Sequence, residues 1–178
     1  MARALFCAFT LCVAACTTAA PNQWSSTGTP RAVDSFMGVN LGASLYDVEG
    51  KFPAGVTETS PYGAPAFRLE NISSSATNYQ DVIFEFAENS GMQMVIAHFP
   101  ASSSAAVYQQ LQNSFGPPSS SGGLNPSDAS TVEASWQMVN GSAVLFSGPY
   151  HRLTIIGRDG GTLKPDIRLR DTDVPLAQ

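Results

Sequence analysis

Two short segments constrain this chain more than any other. Each is amphipathic at helical spacing, and each is stopped by proline and glycine just after a phenylalanine. Between Ser44 and Phe52, the residues Leu45, Val48 and Phe52 fall at i, i+3 and i+7, one face of a helix. Ser44 is a good N-cap, Asp47 three residues later approximates a capping box, and Pro53 and Gly55 end the pattern. Over residues 105–115, Val107, Tyr108, Leu111 and Phe115 form a second stripe. Ser102, Ser103 and Ser104 offer caps for it, and Gly116-Pro117-Pro118 stops it.

Each helical segment leads, through a loop, into runs that alternate apolar and polar residues, the mark of half-buried strands. The first set comprises residues 66–69, 81–86 and 92–99, with a polar loop over 71–78 and the turn residues Glu88-Asn89-Ser90-Gly91. Residues 36–42 add a short strand ahead of the first helix. The second set comprises 132–139, the hairpin signal Asn140-Gly141, 142–146 and 152–157, after a flexible loop over 119–128. A helix this short cannot bury its stripe alone, nor can a three-stranded meander bury its apolar face; laying one on the other covers both. The pattern predicts an α+β chain: two helix-plus-antiparallel-meander repeats packed together, over 33–100 and 101–171.

The amino terminus addresses the compartment. Arg3 precedes an apolar run from Ala4 to Ala15, shorter than the ~20 residues a membrane-spanning helix needs. A charged start, a short apolar run and small residues before a boundary make a secretory signal peptide over 1–15. Val13-Ala14-Ala15-Cys16 resembles the lipobox of bacterial lipoproteins. That resemblance implies lipidation of Cys16 and a membrane anchor through its acyl chains, with Thr17 in the following position favouring the outer membrane. An ordinary secretory cleavage, with Cys16 incidental, is the alternative. Residues 16–32, rich in Thr, Ala, Pro, Asn and Ser, read as a flexible tether, and 172–178 as a tail. Cys7 and Cys12 lie in the leader, so the mature domain carries no disulfide framework and no thiolate site.

Only 13% of residues are charged, so Ser, Thr, Asn, Gln and Gly must dominate the surface. The net charge of −5 argues against nucleic acid as a partner. No catalytic or metal motif assembles: His98 and His151 lack ligand spacing, and no serine sits in a nucleophile elbow. The expectation is therefore a protein that is not an enzyme and holds no cofactor. Tyr79, Ile83, Trp136, Phe146, Tyr150 and His151 are the residues to examine as contacts for a partner, with Tyr79, Trp136, Tyr150 and His151 carried forward.

The segment Gly42-Ala43-Ser44 with Asp47-Val48 and Phe52-Pro53-Ala54-Gly55 is similar to the start of small outer-membrane lipoproteins of the BamE (SmpA) type. Residues 104–118 repeat that manner, and a doubled unit of this kind resembles the architecture of the secreted β-lactamase inhibitor protein. Phe-Pro stands where that class has Gly-Pro, and its aromatic signature strand is missing. The resemblance implies a non-catalytic lipoprotein of the cell envelope that binds another envelope protein, as an assembly subunit or an inhibitor. An envelope hydrolase with an unrecognised site, or a small-ligand carrier with an apolar cavity between the repeats, are the competing readings.

Overall fold

The computed structural model describes residues 24–25, 32–60, 63–73, 77–87, 91–125 and 127–158. The segments expected as a signal peptide over 1–15 and a tail over 172–178, the expected lipidation residue Cys16 and nearly all of the expected tether lie outside these residues. In chain order the elements are β1 (Trp24–Ser25), β2 (Ser35–Phe36), β3 (Val39–Asn40), α1 (Leu45–Lys51), β4 (Val56–Thr59), β5 (Pro65–Ser73), β6 (Asn78–Ala87) and β7 (Gly91–His98). They continue with α2 (Ser104–Phe115), β8 (Ser120–Gly123), β9 (Val132–Gln137), β10 (Ala143–Ser147) and β11 (Arg152–Ile156). Single 3-10 turns precede α2 and β9 at Ala101–Ser103 and Ala129–Thr131.

The expected α+β pair of packed repeats is not what forms. Eight strands join into one continuous antiparallel sheet of order β4-β5-β6-β7-β11-β10-β9-β8, and the two short helices are accessory to it. The joint is β7 against β11, in register from Arg152↔His98 to Ile156↔Met94. Its physical reason is the backbone: two separate sheets would each leave an edge strand with open amides and carbonyls, and pairing β7 with β11 closes both. Three strands also go beyond the sequence reading: β1, within the segment expected as a tether, pairs with β2 from Trp24↔Phe36 to Ser25↔Ser35. The 119–128 stretch, expected as a loop, contains β8, and β4 follows α1 directly.

Local signals fared better. In α1, Ser44 and Asp47 form the capping box, the Ser44 hydroxyl accepting from the Asp47 amide and the Asp47 carboxylate accepting from the Ser44 amide. The Ser44 hydroxyl, which also donates to the Asp47 carboxylate at 2.7 Å, and the Ser44 amide hold that carboxyl below its usual range. The cap expected of the serines before α2 takes another form: Ser103 makes no side-chain cap, and its amide instead bonds the Pro100 carbonyl at 2.8 Å within the 3-10 turn. The short strand expected over 36–42 is a hairpin of β2 and β3. Its turn, Met37-Gly38, has positive φ at both residues, which matches the twist of the strands.

One face of the sheet carries the main core. Phe67, Leu69, Val82, Phe84, Val95, Leu153, Val144 and Trp136 point into it, and Val48 from α1, Val107, Leu111 and Phe115 from α2, and Val33, Phe36 and Val39 from the hairpin close over it. Phe52 stacks on Phe84 with centroids 6.0 Å apart, and Phe99 on Phe146 at 5.8 Å. A bulge at Gln93 interrupts the alternation of β7. Glu85 pairs with Met94 but Phe86 pairs with Met92, so the two methionines emerge on opposite faces.

Candidate interaction surface

The second face of the sheet is built by register alone. Residues opposite one another on neighbouring antiparallel strands share a face. Glu70, Asp81, His98, Arg152, Ser147 and Glu133 are successive partners across β5, β6, β7, β11, β10 and β9, and Gly122 of β8 completes the line. They form one polar row across the sheet. Two residues further along each strand runs a second row, Arg68, Ile83, Ile96, Thr154, Leu145 and Ser135, and beyond it a third with Ala66, Glu85, Met94 and Ile156.

In the polar row the Asp81 carboxylate lies 2.7 Å from His98 Nδ1, with both side chains partly exposed. The neighbouring Arg152 is nearly buried, its guanidinium 5.9 Å from the centroid of the Tyr150 ring. Behind the row, Ala66, Ile83, Met94 and Ile96 make a compact apolar cluster, buried to 6% exposure or less, with Ile156 packed against it. Among the described residues its members come from β5, β6, β7 and β11 only. Glu85 is enclosed at its margin. Burial pushes its carboxyl up, a hydrogen bond with Ser60 partly opposes this, and its Oε1 has no partner among the described residues.

At the β8 end the polar row meets a corner made by the turn after β10, the 3-10 turn before β9 and the segment following β8. The approach is close: a side chain at Gly148 would overlap the Ala129 carbonyl, and one at Gly123 the Thr131 carbonyl. The Thr131 hydroxyl donates to the Asn125 and Asp128 carbonyls, both at 2.9 Å, pinning the corner. Bonds from the Ser130 amide and hydroxyl hold the Asp128 carboxyl below its usual range. Leu124 is 97% exposed there and Tyr150 44%, beside a shallow hollow of about 510 Å³ lined by Gly123, Leu124, Ser130, Thr131, Glu133 and Pro149.

The residues singled out from the sequence separate into two groups. Tyr79 and Trp136, expected as contacts, are enclosed in the main core instead. Tyr79 packs edge-on against Phe36 at 5.8 Å, and burial raises its hydroxyl far above the usual tyrosine range. The Trp136 indole donates to the Gly116 carbonyl at 2.9 Å, satisfying the end of α2. An indole or phenol with a nearby hydrogen-bond partner can be buried at little cost, so aromatic identity by itself did not signal exposure. Ile83 and Phe146 are buried on opposite faces. Tyr150 and His151 do lie together in the β10–β11 turn. His151, with φ of 49°, bonds Gly148 and Phe99 through its backbone, and its Nδ1 lies 3.4 Å from Ser104 Oγ. Its ring is thus tied to α2, while His98 is tied to Asp81. The sequence places His98 in a strand but gives no sign of the Asp81–His98–Arg152 line. Only the β7–β11 pairing puts Arg152 beside it.

The chain was compared with protein-family models, with characterised proteins and with solved structures, and none of the three comparisons gave a match.

Proposed function

We propose that this protein is a lipid-anchored component of the bacterial cell envelope, held at the outer membrane through Cys16, that binds another envelope protein without catalysing a reaction. The Val13-Ala14-Ala15-Cys16 leader supports the anchor. The observation that carries the binding reading is the polar row from Glu70 to Glu133, which ends in a corner with exposed Leu124 and Tyr150. Exposed Glu70 and Glu133 and the partly exposed Asp81–His98 pair, fixed in register, orient a partner, and exposed apolar residues at the end of the row supply contact area. Trp136 and Tyr79 take no direct part, since they hold the scaffold beneath.

The test is crosslinking in cells on the full-length protein, followed by detergent pull-down and mass spectrometry. Cys16→Ser serves as the anchor control, and Asp81→Lys with Tyr150→Ala as the surface variant. One stoichiometric envelope protein is expected, reduced by Cys16→Ser and reduced again by the surface variant. A blank in the unaltered protein overturns the reading.

A further inference from the structure

The two outer strands of the sheet are not alike. β4 is guarded: Glu58 pairs with Arg68, Nε to Oε1 at 3.3 Å, and the Thr57 hydroxyl donates to Glu49 of α1 at 2.7 Å. Charge on an edge strand and a tie to a neighbouring element are the usual means of blocking unwanted strand addition. β8 has neither. It reads Ser120-Ser121-Gly122-Gly123, with all four residues exposed, and it runs directly into Leu124 and the hollow beside Pro149. From Gly116 to Tyr150 the chain contains no lysine or arginine; its only charged residues are Asp128 and Glu133. Glu133 pairs with Gly122 and lines the hollow. Among the described residues this edge has no strand beyond it, carries no charged side chain and is acidic at its margin.

We propose that β8 receives an extended, positively charged segment of a partner protein as a ninth strand. Backbone amides and carbonyls along β8 would supply the hydrogen bonds, an apolar side chain would enter the hollow against Leu124 and Pro149, and a lysine or arginine would meet Glu133. A second copy of this chain is disfavoured as occupant, because the Glu133 carboxylates of the two copies would be brought against each other. The proposal rests on the binding reading above and names where and how the partner enters.

The probe is a blocked eight-residue peptide of alternating lysine and valine, added to the full-length lipidated protein in detergent. Residue-resolved amide exchange and fluorescence anisotropy are the readouts. Exchange is expected to slow at Ser120–Gly123 and stay unchanged at Val56–Thr59. Ser121→Lys, an exposed substitution, is expected to weaken binding about tenfold by restoring the missing edge charge. Replacing the peptide's lysines by glutamates, or methylating alternate backbone nitrogens, should abolish it. Equal binding by the methylated peptide, protection at β4 instead of β8, or a peptide-independent dimer protecting β8 overturns the proposal. Repeating the cellular crosslink with Ser121→Lys separates the two ideas. An envelope partner still captured at full yield ends the strand-addition proposal and leaves the binding reading standing. Peptide binding at β8 without any cellular partner does the reverse.

Discussion

The two faces of the sheet are organised by different physics. On the first, large rings interlock beneath two helices and a hairpin: Phe52 on Phe84, Phe99 on Phe146, Tyr108 between Trp136 and Phe146. Its order is that of a close-packed interior, where shape decides. On the second, order comes from the ladder. Asp81, His98 and Arg152 are neighbours because three strands hold them in register, and the apolar cluster of Ala66, Ile83, Met94 and Ile96 sits one step behind. The comparison teaches that a half-polar face can be as fixed in position as a core while drawing its precision from backbone pairing.

The largest test of that contrast removes a ring from the first face. Trp136→Ala empties a fully buried site and orphans the Gly116 carbonyl, so it is expected to cost about 3–5 kcal/mol in a denaturant titration. Ile83→Ala is its counterpart on the second face. At 3% exposure it is expected to cost about 2–5 kcal/mol; a loss within about 0.5 kcal/mol, as for ordinary surface positions, would break the comparison by showing this face to be open.

Glu85 sharpens the contrast through pH. Its carboxyl is raised in the folded protein, mainly by burial, so the native state keeps the proton to higher pH than the unfolded chain. Its contribution is therefore favourable at acid pH and is lost as pH rises from the unfolded carboxyl value through the folded one. Glu85→Gln should remove that loss, giving a melting temperature that exceeds the unaltered protein's near neutrality and converges with it in acid. A constant offset at every pH would contradict the assignment.

The smallest effect compares the two helices on the first face. Ser44→Ala removes the capping hydroxyl of α1 and is expected to cost about 1 kcal/mol. Ser103→Ala removes no side-chain cap and is expected to shift the melting curve little, although the two serines look equivalent in the sequence.

That equivalence shows where sequence reading stops. The α1 capping box, the stripe of Val107, Leu111 and Phe115, and the alternation of Val82, Phe84 and Phe86 are local: each depends on residues a few positions apart, and each formed. Met92 and Met94 defeated alternation because a bulge at Gln93 sends them to different faces. β8, made of serine and glycine, carries no apolar period to announce it and exists because β9 offers it a ladder. Of the candidate site, Tyr150 and His151 were singled out from the sequence. The row that gives the site its charge was not, since its members come from six strands.

By itself, the sequence determined the helix ends and the inward residues of most strands, because capping, chain breakers and alternation act within a few residues. Only the tertiary structure decided that β7 would pair with β11, that the chain would make one eight-stranded sheet instead of two packed α+β repeats, and that β8 would be one of its outer strands. Backbone hydrogen bonds join any two extended segments irrespective of their side chains. Which pair wins is settled by the whole set of edges that must be satisfied together.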